Sequence, residues 1–279
     1  MDKKYGNITH ICENEGVTYL TFEPLSALPG ITHCFSTRLG GVSSGQYATM
    51  NFAFDLHDDP DKVRENYRRM AAAVGFSTED MVLSDQTHTT NVLRDGPRER
   101  GAGYDYPLPW HDIDGFVTDE EDVVLFTTYA DCVPLYFVDP VRRAIGLSHS
   151  GWRGTAAKMG LVTVRKLQEE FGSDPADIIS VIGPSICQTC YEVSEECAVH
   201  FPKETLIDKH NGHYQLDLWE ANRLVLLEAG LKEDHIYKPD LCTCCHPDLL
   251  FSHRATKGKR GNLGAFLGLT SLDKREREI

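Results

Sequence analysis

The chain has 279 residues, with 28 Lys and Arg against 42 Asp and Glu, so its net charge is −14. A content of 41% hydrophobic and 25% charged residues is ordinary for a globular protein and excludes the disordered, collagen-like and fibrous classes. The acidic balance also argues against a general nucleic-acid binder, because affinity for a duplex comes largely from Lys and Arg, and the basic run at 254–260 is short.

The apolar pattern predicts three helices, over residues 60–74, 155–171 and 218–229. The first has the clearest signals, since Asp58 or Asp59 can cap its start and Pro60 suits its first turn. Gly75 follows its last apolar residue, as is typical of a helix end. We therefore expect an amphipathic helix over 60–74 that buries one face.

Runs rich in β-branched and aromatic residues predict strands over 123–130, 133–138, 144–148 and 178–182. Only Asp131 and Cys132 separate the first two, a tight succession that favours antiparallel pairing over a pure βαβ series. The stretch from 94 to 112 is dense in Gly, Pro and charge and predicts a long surface loop. Because no Pro-, Gly- and Ser-rich linker divides the chain, we expect one α/β domain with mixed sheets over 1–279.

Residues 1–5 lack the apolar run of a signal peptide, and no stretch approaches the roughly 18 apolar residues of a membrane span. We therefore expect a cytoplasmic protein without a membrane partner, where thiols usually stay reduced. Its nine cysteines are an odd number and cannot all pair within one chain.

Polar residues concentrate where three apolar runs end, the positions at which α/β proteins usually place reactive groups. Gln86 and His88 follow the first run, Cys132 follows the second, and His149 follows the third. Two imidazoles and one thiolate make a reasonable zinc set with one position open. Their wide separation matches no compact zinc finger, so the spacing equally allows a buried thiol and two hydrogen-bonded histidines.

A second group of cysteines lies further along the chain. Cys187 and Cys190 form a C-x₂-C pair, and Cys242, Cys244 and Cys245 follow downstream as C-x-C-C rather than a clean C-x₂-C. Two close cysteine pairs are typical of a structural zinc or iron site. The sequence leaves this site and a set of plain thiols equally open, and it favours a redox motif less than either.

A Gly- and Ser-rich turn at 37–45 carries Arg38, and such a turn can present backbone N–H groups to an anion. It matches neither the G-x-x-x-x-G-K-[ST] nor the G-x-G-x-x-G pattern, so the usual nucleotide-binding glycine motifs are absent.

Eight motifs occur in the order His33-Cys-Phe-Ser-Thr-Arg-Leu-Gly-Gly41, Gln86-Thr-His88, Asp112-Ile-Asp-Gly-Phe116, Ala130-Asp-Cys-Val-Pro134, His149-Ser-Gly-Trp-Arg-Gly154, Ile182-Gly-Pro184, Cys190-Tyr-Glu-Val193 and Phe251-Ser-His-Arg254. Together they resemble the YfiH/YlmD family, historically labelled polyphenol oxidase or laccase-domain proteins. The resemblance covers about residues 30–270. Cys187, Cys244 and Cys245 depart from the family pattern.

The resemblance implies an α+β fold of two packed mixed sheets flanked by helices, related to cysteine-hydrolase-like proteins. It also implies a metal at His88, Cys132 and His149, for which we expect zinc. Copper is less expected, because the chain has no H-x-H pair for a multi-copper cluster.

The activity that the resemblance implies is purine nucleoside phosphorolysis, with adenosine, inosine and S-methyl-5′-thioadenosine as substrates. Adenosine deamination would accompany it, with metal-activated water as the attacking group. The expected partners are these nucleosides and phosphate, with no nucleic acid, on a monomer or small homo-oligomer.

Four polar residues are our candidates for substrate contact. Arg38 is the first choice for an anion or ribose contact and Arg254 the second, although either could form an ordinary surface ion pair. Asn51 and Gln86 are predicted to hydrogen-bond the nucleoside. Asp131 is expected either to orient a metal-bound imidazole or to cap a turn.

Three alternatives stay open. One is a cysteine-dependent amide hydrolase that edits cell-wall precursors, with Cys132 as nucleophile and a histidine base. Another is a copper polyphenol oxidase. The non-enzymatic alternative is a zinc-stabilised binding module built on Cys187, Cys190, Cys242 and Cys244.

Overall fold

The computed structural model describes residues 3–5, 8–238 and 241–271. Its strands are β1 Lys3–Tyr5, β2 Thr9–Asn14, β3 Val17–Phe22, β4 Ile31–Ser36, β5 Met81–Leu83, β6 Val92–Arg94, β7 Gly115–Thr118, β8 Val124–Tyr129, β9 Val133–Asp139, β10 Ala144–Ser150, β11 Ile179–Ile182, β12 Glu192–Ser194, β13 Leu206–Asp208, β14 His213–Leu216, β15 Ile236–Tyr237 and β16 Leu263–Leu269. Its helices are α1 Glu23–Ser26, α2 Pro60–Val74, α3 Trp152–Ala156, α4 Met159–Phe171, α5 Glu195–Ala198, α6 Leu218–Glu228 and α7 His253–Thr256.

The strands form two large sheets and one small sheet. The seven-stranded sheet has the order β1-β2-β3-β4-β16-β8-β5, and the six-stranded sheet has the order β15-β11-β9-β10-β7-β6. Most neighbours are antiparallel, but β5 pairs parallel to β8, β6 to β7, and β15 to β11. Strands β12, β14 and β13 form the small sheet. The structure therefore confirms the predicted α+β class with two mixed sheets.

The two large sheets pack face to face around one apolar core, and their central strands β9, β10 and β16 are buried on both faces. On β16, Leu263, Ala265 and Leu267 point into the core between the sheets, whereas Phe266 points to the opposite face. That opposite face is covered by α2, and the outer face of the six-stranded sheet is covered by α4 and α6. The shared core agrees with the single-domain interpretation, which stays a prediction.

The four predicted strands all form, as β8, β9, β10 and β11, but the expected pairing of the first two is wrong. Strand β8 lies in the seven-stranded sheet and β9 in the six-stranded sheet. The chain crosses between the sheets at residues 130–132, where Asp131 has a left-handed φ of 90°. A connection this short normally makes a hairpin, but here the reversal occurs between layers rather than within one sheet.

The predicted helix over 60–74 is confirmed as α2. Asp59 caps it by accepting a hydrogen bond from the backbone N–H of Asp61, and Gly75 ends it with a φ of 93°. The predicted helix over 155–171 is instead divided into α3 and α4, because Lys158 adopts a left-handed φ of 62°. The third forms as α6. In the described part of the chain, no helix has the length and apolar character needed to cross a bilayer.

Candidate active site and family

A cavity of about 990 Å³ lies at the ends of the two large sheets. This volume is at the upper end of the range for small-molecule sites. Residues from both sheets and from the loops that follow them line it, among them His88, Cys132, His149, Asp131, Arg254 and Arg260.

Three predicted metal ligands meet in this cavity, and we call His88, Cys132 and His149 the metal triad. Their ligand atoms all lie within 4.8 Å of one another. The antiparallel register of β9 and β10 pairs Val133 with Ser150, and this pairing brings Cys132 beside His149. Two imidazoles and a thiolate are donors that zinc accepts in sites that keep a position open. The residues present therefore fit the implied metal.

Asp114 holds the triad in place from behind. Its buried carboxylate accepts a hydrogen bond from Nδ1 of His149 at 2.8 Å, which leaves the other ring nitrogen for the metal. The same carboxylate accepts from the backbone N–H groups of Thr87, His88 and Thr89 at 2.8–3.1 Å. Asp114 thus fixes one ligand directly and fixes the loop that carries a second.

The Cys132 thiol and the His149 imidazole hold each other in their charged forms. Burial alone would raise the pKa of the Cys132 thiol, but interactions with His149 and His88 lower it to about 6. Burial alone would lower the pKa of His149, but Cys132 and Asp114 raise it to about 9. At neutral pH, Cys132 is therefore a thiolate, the form that binds a metal or acts as a nucleophile.

Gly151 gives the triad the space that it needs. A Cβ atom at this position would lie 3.0 Å from Sγ of Cys132 and 3.0 Å from Cδ2 of His88. A larger residue would therefore displace two of the three ligands.

Asp131 does not contact the triad imidazoles as one sequence interpretation expected. Its carboxylate accepts from the Thr243 hydroxyl at 2.6 Å and from the backbone N–H of Arg254 at 2.7 Å. It therefore joins three loops around the cavity, and the imidazole partner is Asp114. Asp114 and Asp131 each belong to one of the eight sequence motifs. Nothing in those motifs shows which of the two aspartates contacts a triad imidazole.

Gln86 and Arg254 line the cavity, but their polar groups are largely committed to the protein. The Gln86 amide donates to the carbonyl of Thr128 and accepts from its backbone N–H. The Arg254 guanidinium donates to the carbonyls of Cys190 and Glu192. Both therefore shape the cavity wall, and their predicted substrate contacts stay predictions.

Arg38 and Asn51 lie outside the lining of the cavity. Arg38 donates to the carbonyls of Ala48 and Pro247, so its guanidinium joins two loops. The Asn51 side chain is buried and donates to Asp58. These positions do not support the predicted anion and nucleoside contacts, because the groups that would bind substrate are occupied elsewhere.

The cation that sequence reasoning missed is Arg260, at the end of the short basic run. It lines the cavity, and its buried Nε has no hydrogen-bond partner in the described part of the chain. Burial lowers the pKa of Arg260, while the negative charges of Asp131, Asp55 and Cys132 oppose that shift. Arginine nevertheless keeps its charge in proteins, so Arg260 places a positive charge in the cavity.

Comparison with known proteins identifies the family of the chain. A family model described as "multi-copper polyphenol oxidoreductase laccase" matches residues 32–270. The purine nucleoside phosphorylase YlmD of Bacillus subtilis is 37% identical over 242 residues, which cover 84% of this chain and 87% of that protein.

Two solved structures share the fold. YlmD from Geobacillus stearothermophilus has a TM-score of 0.88 and 36% identity, covering 93% of this chain and 98% of that chain. The hypothetical protein YfiH of Bacillus licheniformis has a TM-score of 0.87 and 33% identity, covering 92% and 98% respectively. Because the family model matches most of this chain, the chain belongs to the YfiH/YlmD family of laccase-domain proteins.

Proposed function

We propose that the chain is a zinc-dependent purine nucleoside phosphorylase that cleaves adenosine, inosine and S-methyl-5′-thioadenosine. The observation that carries the proposal is the presence of the metal triad and the buried cation Arg260 in one cavity. The names of the similar proteins supply the reaction class. The thiolate ligand and the unpaired cysteines suit the reducing cytoplasm, which we propose as its location.

Zinc is the metal that we propose for the triad. The His₂Cys donor set also occurs in blue-copper sites, but a multi-copper oxidase needs further imidazole clusters. Among residues 3–5, 8–238 and 241–271, the other group of converging metal-binding side chains consists of cysteines alone. A zinc ion held by the triad would supply Lewis-acid chemistry to the cavity.

In phosphorolysis, a phosphate oxygen forms a bond to C1′ of the ribose while the bond from C1′ to the purine nitrogen breaks. Phosphate brings negative charge into an acidic protein, and a buried guanidinium offers it paired donors in a low-dielectric setting. Arg260 is our candidate to hold this group, because its guanidinium lines the cavity and bonds to the neutral Asn262 side chain rather than to a carboxylate. The cavity volume is sufficient to hold both reactants together.

Adenosine deamination is the accompanying activity that we propose for the same cavity. In this reaction the oxygen of water forms a bond to C6 of the purine, and the exocyclic amine leaves as ammonia. The triad would hold the same metal for this step, with a thiolate from Cys132 and an imidazole from His149 that Asp114 orients.

The purified, zinc-loaded chain should release hypoxanthine from inosine only when phosphate is present. The Cys132→Ala variant should lose this activity while its circular dichroism stays unchanged. Arg260→Met should raise the KM for phosphate by about 10-fold or more, as expected for loss of a charged hydrogen-bond donor worth roughly 1.5–3 kcal/mol. Arg38→Met is the matched control and should leave that KM unchanged. Absence of phosphate-dependent release would refute the phosphorylase.

One observation favours a second candidate, a cysteine-dependent amide hydrolase. Cys132, His149 and Asp114 lie in the order of a nucleophile, a base and an orienting carboxylate. A metal ligand and a free nucleophile make opposite predictions for alkylation. If zinc protects Cys132 from iodoacetamide, the ligand role is supported, whereas rapid alkylation of the zinc-loaded chain would favour the hydrolase.

A further inference from the structure

Four cysteines outside the active-site triad converge on one point. We call Cys187, Cys190, Cys242 and Cys245 the cysteine cluster, and their Sγ atoms all lie within 4.8 Å of one another. Sγ of Cys245 lies 3.4 Å from that of Cys190 and 4.0 Å from that of Cys187. These cysteines are free, since a disulfide would require a separation of about 2.05 Å.

The separations match those of a tetrahedral metal site. Metal–sulfur bonds of about 2.3 Å in a zinc tetrathiolate place any two sulfurs roughly 3.8 Å apart. The two distances from Sγ of Cys245 bracket this value, and every other pair of sulfurs lies within 4.8 Å, so an ion at the centre would draw the sulfurs together by small side-chain movements. Four thiolate ligands also leave no position open, which is the arrangement of a structural rather than a catalytic site.

The backbone around the cluster turns donors toward the sulfurs. The N–H of Cys187 donates to Sγ of Cys242 at 3.2 Å, and the N–H of Cys245 donates to the same sulfur. The N–H of Cys190 donates to the carbonyl oxygen of Cys187 at 3.1 Å. Hydrogen bonds from backbone N–H groups to sulfur stabilise thiolates and orient metal ligands.

The cluster also corrects the sequence interpretation of the downstream cysteines, which form the second of its two arms. Cys242 and Cys245 are three positions apart and form a C-x₂-C pair that Cys244 obscures. Each arm therefore has the ligand spacing of known zinc sites. Cys245, rather than the Cys244 of the predicted binding module, is the fourth member.

We propose that the cysteine cluster is a second metal site that binds one zinc ion with a structural role. The cluster joins the loop after β11 to the segment after residue 241, which also meet through a bridge between Ser185 and Cys242. The first loop carries Ile186 and Tyr191, two residues of the cavity wall. The second carries Thr243, which bonds to Asp131 beside the triad. Zinc in the cluster thus fixes the wall of the active-site cavity.

Metal content of the full-length chain, purified with reductant and reconstituted with excess zinc, tests the proposal. We expect two zinc ions per unmodified chain, one per Cys245→Ser chain and two per Cys244→Ser chain, the neighbouring control. Cys245→His should keep two, because three cysteines and one histidine also bind zinc. Equal zinc content in the unmodified and Cys245→Ser chains would overturn the proposal, as would a Cys190–Cys245 disulfide in place of the metal.

The His88→Ala variant separates this site from the phosphorylase and keeps the test decisive if Cys245→Ser does not fold. It should retain one metal equivalent, and cobalt in place of zinc should give the intense charge-transfer absorption of a tetrathiolate. A His88→Ala chain that binds no cobalt with this signature would exclude the cluster as a metal site. Loss of nucleoside cleavage in that variant would test the role of the triad and would not affect the conclusion about the cysteine cluster.

Discussion

At the residue scale, Asp114 orients His149 and holds the loop that carries His88, so it positions two members of the metal triad. Burial raises the pKa of its carboxyl, but hydrogen bonds from His149 and Thr89 outweigh burial and hold that pKa below its usual range. The group is therefore a carboxylate at neutral pH. A carboxylate can accept all of these hydrogen bonds at once, whereas an amide offers one accepting oxygen.

We expect Asp114→Asn to weaken metal binding by about 10- to 100-fold, because the triad loses the partner that orients His149. Competition of the zinc-loaded variant with a chelator of known affinity measures this change. Asp139→Asn is the control, since Asp139 is equally buried but accepts from the backbone of Val141 and Arg142 far from the triad. Equal zinc affinity in the two variants would contradict the orienting role.

At the scale of elements, α2 shows how completely a helix can be specified locally. Asp59, Pro60 and Gly75 provide its cap, first turn and end within the segment itself. Strands β8 and β9 were also recognisable from composition, but the sheet to which β8 belongs depends on β16, a partner more than 100 residues away. Local pattern cannot contain that information.

The same distinction applies to the site. His88, Cys132 and His149 could be named from the residues that end apolar runs and from the family motifs. Arg260 could not be named from the sequence, because its place in the wall of the cavity depends on segments that are distant in the chain. The predicted contact of Arg38 with substrate stays a prediction, and the Gly-rich turn does not reveal that its guanidinium donates to the carbonyls of Ala48 and Pro247.

Gly75→Ala tests the local specification of α2. No atom lies within 4 Å of a Cβ at this position, so the cost arises from the left-handed backbone alone. We expect a loss of about 1 kcal/mol in the free energy of unfolding, measured in urea, with the denaturant slope unchanged. Gly75→Asn should cost less, because asparagine tolerates this conformation better. A larger loss for asparagine than for alanine would contradict the argument.

At the scale of the whole molecule, the net charge is −14, so each further ionised acid adds to the repulsion between negative charges in the folded state. Asp95 is 2% exposed, and its Oδ2 has no hydrogen-bond partner within the described residues. Burial raises the pKa of this carboxyl to about 7, and nearby Glu99 adds to the effect although the Gly96 backbone opposes it.

The unfolded chain ionises Asp95 near the ordinary aspartate pKa of 3.8, whereas the folded chain keeps the proton up to about pH 7. Between these values the folded state binds more protons, so the contribution of Asp95 to the free energy of unfolding falls as pH rises, by up to about 4 kcal/mol. Above about pH 7 the loss is complete. Asp95→Asn cannot ionise and removes this dependence.

We therefore expect the stability of Asp95→Asn, relative to the unmodified chain, to be greater at about pH 8 than at about pH 5. Urea unfolding of both proteins at each pH measures the difference, and the comparison cancels the titration of every other group. Asp234→Asn removes the same charge from an exposed position and serves as the control. If the relative stability of Asp95→Asn does not change between the two pH values, Asp95 is ionised in the folded protein and other contacts compensate for its burial.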